Sequence, residues 1–127
     1  MSVPINPKSI APPASHYNHG FYIPAGAAIM TLSGQLGEHA DGYCPEDAGE
    51  QARIAWHNIK AILAEKGFGV ENVVKVTSYI VGEENIDPYV AVHREIVGDH
   101  MPPWTLVAVP ALGRPQYKIE VDVMAAG

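Results

Sequence analysis

Apolar residues recur at three- and four-residue intervals in two stretches of the chain. Ala52, Ala55, Trp56, Ile59, Ile62 and Leu63 form one stripe, which predicts a helix with a single buried face. Pro45, Glu46, Asp47 and Glu50 suit its first turn, where a missing N–H costs nothing and negative charge is favoured. Lys66 and Gly67 are expected to close it. Tyr89, Val92, His93, Ile96 and Val97 form the second stripe, opened by Asp87-Pro88 and ended by Gly98.

The remaining apolar stretches are extended. "FYI" and "AIMTLSG" flank the "PAGA" turn and predict a hairpin, after which residues 35–43 read as loop. "NVVKVTSYIV", residues 72–81, is apolar in both alternating sets and predicts a central strand buried on both faces. "WTLVAV" and "YKIEVDVM" are predicted as two last strands joined by the "PALGRPQ" turn. The second alternates, with Tyr117, Ile119, Val121 and Val123 on one face and Lys118, Glu120, Asp122 and Met124 on the other. The order β-β-α-β-α-β-β predicts an α+β two-layer sandwich with both helices on one sheet face. The uncovered face is a natural place for subunits to meet.

Size and charge narrow the function classes. The 127 residues suit one domain spanning residues 1–127, led by an extended Pro-, Ser- and Asn-rich segment over residues 1–16. With 8 basic and 14 acidic side chains the charge is 8 − 14 = −6, which disfavours a nucleic-acid partner. Cys44 is the only cysteine, so no intramolecular disulfide is available, and a reducing compartment is implied. No apolar run approaches the roughly 18 residues of a membrane span and no leader pattern opens the chain, so no membrane partner and a cytoplasmic location are expected.

Short motifs offer little chemistry. His16 and His19 are the only close histidine pair and lack a third ligand nearby, so no metal site is expected. Cys44 has no catalytic context: a helix N-terminus would lower its pKa, and Glu46 and Asp47 would raise it. Ser33 in "LSGQ" is not in a nucleophile elbow. His93 reads as a core histidine. Glu120 has two readings: a solvated surface carboxylate, or a proton acceptor desolvated by a neighbouring subunit.

Taken together, "LSGQ", "NIKAILAEKG", "ENVVKVTSYI", "GDHMPPWTLVAV" and "YKIEVDV" resemble the RidA/YjgF family, in its order and spacing, across about residues 11–124. The resemblance implies a chorismate-mutase-like fold assembled as a homotrimer with intersubunit clefts. It also implies hydrolysis of reactive enamines or imines, with release of ammonia. Glu120 falls where the family has the glutamate that positions the attacking water. Tyr17 falls at a cleft-lining tyrosine, Ser33 and Gly34 in the neighbouring "SGQ" segment, and Leu106 where a backbone amide holds the ligand. Thr105 adjoins that amide as a further donor.

Trp104 departs from the pattern. The deaminase branch has an arginine there that grips the substrate carboxylate, and an indole has one N–H and no charge. Two readings stay open: Trp104 forms the floor of a cleft with altered specificity, or it is a core or interface aromatic. Arg114, in the nearby turn, is the candidate to replace the missing cation. The leading expectation is a deaminase for an enamine or imine of non-standard type, larger, more aromatic or less dependent on a carboxylate. It needs no metal or organic cofactor, because an iminium carbon is already electrophilic. The alternative is a non-catalytic small-molecule-binding trimer of the same fold. Ribonuclease activity, attached to parts of this family, is disfavoured by the −6 charge.

Overall fold

A computed structural model describes all residues from Met1 to Gly127. In chain order its elements are β1 (Val3–Ile5), β2 (Gly20–Tyr22), β3 (Ile29–Thr31), β4 (Gln35–Leu36), α1 (Ala48–Ala64), β5 (Val73–Val81), α2 (Ile86–Val97), β6 (Trp104–Val109) and β7 (Ile119–Ala126). Asp47 starts α1: its backbone is extended and its carboxylate accepts from the Glu50 N–H at 2.9 Å. Pro45 therefore precedes the N-cap and lies outside the first turn. Gly67 adopts φ 71° just past the helix end, as the sequence requires. α2 begins at Ile86 with Asn85 as N-cap, slightly ahead of the expected Asp87.

The larger sheet has the order β3-β7-β5-β6, with β4 also on β7. β5 and β6 are parallel, as the crossover through α2 demands, and β7 runs antiparallel to β5 and to β3 and β4. Three pairings differ from expectation. β2 does not form a hairpin with β3; it pairs with β1, inside the segment read as an extended lead-in. Residues 35–36, read as loop, form β4 beside β7. β6 and β7 are not neighbours, because β5 lies between them. A Pro/Gly turn between apolar runs specifies a change of direction, but not which strand each run will meet.

One face of the sheet carries the core. Val73, Val76, Ile80, Ile119, Val121, Val123 and Ala125 pack against Ala52, Ala55, Trp56, Ile59 and Leu63 of α1 and Tyr89, Val92 and Val97 of α2. β5 is fully buried only on this side; Lys75, Thr77 and Tyr79 on the other are half-buried. No helix covers that second face. It presents Glu120, Asp122 and Met124 of β7 and Thr105 and Val107 of β6, with Met124 37% and Val107 38% exposed.

Candidate functional site

Glu120 stands on the open face of β7, opposite Tyr79 of β5 and Leu36 of β4. Its carboxylate folds over Gly34, where any Cβ would overlap Glu120 Oε2. A side chain at position 34 would push the flexible end of Glu120 aside, so the bare backbone is what lets the carboxylate lie there. α1 holds this segment in place. Asn58 Nδ2 donates to the Leu36 and Glu38 carbonyls at 3.3 and 3.0 Å, and Gly37 seats directly on Gln51. Gln51 is fully buried and fully bonded, donating to the Pro45 and Gln116 carbonyls and accepting from the Lys118 N–H just ahead of β7. Ser33 is exposed beside Gly34. Helix α1 therefore sets the position of Ser33 and Gly34 relative to Glu120.

The other candidates gather at β6. Trp104 and Leu106 point toward the helices and pack on the core. Thr105 points to the open face, where its Oγ1 accepts from Lys75 Nζ at 2.9 Å. The Trp104 indole stacks on the His93 imidazole with ring centroids 3.8 Å apart. Its Nε1–H donates to Ser78 Oγ at 3.0 Å, and Ser78 donates onward to the Tyr89 hydroxyl at 2.6 Å. Tyr89 also receives Trp56 Nε1–H at 3.4 Å and lies 3.5 Å from His93 Nδ1. Burial pushes the Tyr89 phenol up to about 12, and burial with His16 nearby pushes His93 down to about 3. Both groups are neutral at pH 7. His93 is a core histidine, as expected, but its Nε2 is buried without a partner. The sequence did not single out Ser78, and marked Tyr89 only as part of the buried stripe of α2. A serine inside an apolar strand was the available signal.

Tyr17 is half-buried near the entrance to β6. Its hydroxyl accepts from the Ala14 N–H at 3.1 Å. Its neighbours strap the segment to the α2–β6 connection: His16 Nε2 meets the Gly98 carbonyl at 2.6 Å, and Asn18 donates twice to Met101 O. Those two donors secure Met101 at a left-handed φ of 43°. Arg114 is exposed in the β6–β7 connection, on a 300 Å³ cavity with Val81 and Tyr117. Val81 pairs with Val109, so Arg114 lies at the far end of β6 from Trp104. Cys44 is held above its usual pKa by burial and then by Glu38, rather than by Glu46 or Asp47. His19 Nε2 is spent on the Ala11 carbonyl at 2.7 Å, and no three His, Cys, Asp or Glu side chains gather as metal ligands.

Apart from Arg114, the candidates thus form two groups within one chain: Ser33, Gly34 and Glu120 at β4 and β7, and Tyr17, Trp104, Thr105 and Leu106 at the β6 edge. β5 separates them, and two strand spacings put β7 and β6 about 10 Å apart.

Residues 8–127 match the sequence model of the family described as Endoribonuclease L-PSP. The chain belongs to that family, the RidA/YjgF family. Among curated relatives, it is 33% identical over 95 residues to RutC family protein YjgH of Escherichia coli K12, covering 73% of this chain and 72% of that one. It is 28% identical over 87 residues to the E. coli K12 protein named "Putative reactive intermediate deaminase TdcF", covering 66% and 67%. Among solved structures, YyfB of Yersinia pestis, a Rid family protein of unknown function, matches with a TM-score of 0.87 at 23% identity, over 99% and 98% of the chains. E. coli TdcF with bound serine matches with a TM-score of 0.73 at 24% identity, over 98% of each. The RidA/YjgF fold is the chorismate-mutase-like α+β sandwich described above. No helix is long and apolar enough to cross a membrane.

Proposed function

We propose that this chain is a hydrolytic deaminase of reactive enamines or imines, working as a homotrimer. Each cleft would join the Glu120–Gly34 group of one copy to the β6 edge of its neighbour. The observation that carries this reading is Glu120: a carboxylate on the uncovered sheet face, with a glycine backbone kept bare beneath it. The deaminase named among the relatives agrees with it.

In this mechanism Glu120 takes a proton from water as the water oxygen bonds to the iminium carbon and the C=N π pair moves to nitrogen. Glu120 then passes that proton to the nitrogen. The C–N bond breaks, ammonia leaves with the bonding pair, and the carbonyl forms as the hydroxyl proton returns to Glu120 and on to solvent. Leu106 N–H and Thr105 polarise the substrate while Tyr17 closes the cleft. The substrate is of non-standard type, because Trp104 is engaged with His93 and Ser78 and brings no cation to the site.

The test is ammonia release from imines generated in situ from a panel of amino acids and amines. Wild type should exceed the uncatalysed rate and Glu120→Ala should not. Failure of the wild type across the whole panel would leave the second reading, a small-molecule-binding trimer without chemistry. The inward turn of Trp104 is what favours that reading. Absence of RNA binding at moderate salt is expected from the −6 charge.

A further inference from the structure

The cavity under the β6–β7 connection belongs to neither group of site residues. It holds 300 Å³, the lower end of the range for small-molecule pockets, and Val81, Pro110, Leu112, Pro115 and Tyr117 make apolar walls for it beside Arg114. The connection is rigid for local reasons. Tyr117 N–H bonds the Arg114 carbonyl at 3.2 Å, closing a turn with Pro115 at its second position, where a fixed φ fits. Tyr117 is 6% exposed and its hydroxyl donates to Glu38 Oε1 at 3.1 Å, so its ring is a fixed wall and its polar end is spent. Lys118 is likewise spent, on the Glu46 carbonyl at 2.6 Å. The only ion pair within 4.0 Å in the chain is Arg53–Glu95, so the Arg114 guanidinium is the cavity's one charge and has no carboxylate partner.

Register places this cavity beside Glu120. Tyr79 of β5 is opposite Glu120, and Val81 follows two residues later on the same open face. Diagonal neighbours of this kind lie about 7–8 Å apart. The carboxylate and the Val81 wall therefore stand on one chain within reach of a single small molecule. A planar guanidinium stacks on aromatic faces as well as pairing with anions. Exposed to water, it gains little from an anion. A ring laid between it and the apolar walls gains more, because apolar surface on both sides leaves water.

We propose that the Arg114–Tyr117 cavity binds an aromatic ring, and that the substrates are imines whose reacting carbon carries an aryl group on a short alkyl arm. The ring lies in the cavity and the C=N bond at Glu120. That names the non-standard class: recognition rests on the ring and needs no carboxylate. The place of the C=N bond rests on the deaminase reading; the ring site itself does not.

The experiment has two arms. Titration with benzylacetone, the ketone such an imine would release, should shift the amide NMR signals of Val81, Leu112 and Tyr117, and acetone should not. Arg114→Ala should weaken binding about tenfold, and Arg114→Lys should restore little of it, since an ammonium keeps the charge without the plane. The turn is closed by backbone atoms, so both variants keep the fold. In the second arm, kcat/KM for the imine generated in situ from the matching aryl-bearing amine, over that from isopropylamine, should fall about tenfold in Arg114→Ala through KM. No shift at those amides with benzylacetone, equal binding in Arg114→Ala, or full rescue by Arg114→Lys overturns the ring site. Ammonia release with an unchanged ratio in Arg114→Ala overturns the substrate class while the deaminase reading stands. Arginine-dependent benzylacetone binding with no ammonia release by any variant supports the ring site and overturns the deaminase reading.

Discussion

The indole of Trp104 lies flat on the imidazole of His93, ring planes 12° from parallel and centroids 3.8 Å apart. The pair joins the edge strand β6 to α2, and the Trp104–Ser78–Tyr89 hydrogen bonds extend the link through β5, with Trp56 of α1 bonded to the same tyrosine. Of the two readings for Trp104, this geometry favours the packing aromatic. An indole held on both its face and its N–H by buried partners is not free to turn toward a ligand.

That packing sets a stability expectation. Trp104→Ala should cost about 3 kcal/mol, in the range for truncating a large aromatic in a core. Trp104→Phe keeps the stacking and loses only the bond to Ser78, so it should cost about 1 kcal/mol. Urea denaturation of the two variants measures both. Near-wild-type stability of Trp104→Ala would mean that the indole carries no packing load.

His93 gives the fold an acid limit. Its folded pKa, about 3, lies below the 6.5 of an unperturbed histidine. Between those values the unfolded chain holds a proton that the folded chain lacks, so stability rises with pH. The contribution is complete above about pH 6.5 and drains away as pH falls toward 3, by up to about 1.4 kcal/mol per pH unit. His93→Phe should keep the stacking on Trp104 and flatten the slope of stability between pH 6.5 and 3 by this amount. The difference between variant and wild type isolates this residue from the other five histidines.

Gly34 tests whether the placement of the Glu120 carboxylate matters. A methyl group there overlaps Glu120 Oε2. Gly34 is at the surface edge of the sheet, so Gly34→Ala should cost the fold no more than about 1–2 kcal/mol. Ammonia release should nevertheless fall by about a hundredfold, in kcat more than KM, because a displaced base loses its alignment with the water. Unchanged turnover would mean that catalysis does not depend on the Glu120 carboxylate lying against Gly34.

The open face makes a prediction about assembly. Val107 and Met124 are apolar and more than one-third exposed on a face that no helix covers. Wild type should sediment as a trimer. Val107→Glu should dissociate it at micromolar concentration, since a carboxylate buried in an apolar interface is not compensated. A monomeric wild type would remove the intersubunit cleft and with it the proposed mechanism.

The elements were legible in the sequence where a single periodicity ruled. The stripes of α1 and α2 and the alternation of β7 follow from local backbone geometry, which repeats every 3.6 or 2 residues wherever the chain goes. Residues 119–124 placed Glu120 opposite the core in sequence as in structure. Pairing was not legible, because β1 with β2, β4 with β7 and β5 between β6 and β7 are contacts between distant segments. Nor was the direction of Trp104. Both alternating sets of "WTLVAV" are largely apolar, so no pattern says which side meets the helices. That was decided when α2 brought His93 over the start of β6 and β5 brought Ser78 beside it. The sequence by itself determined which residues face together along each element. Only the tertiary structure decided which elements meet, and so which side chains are consumed by packing and which remain free for chemistry.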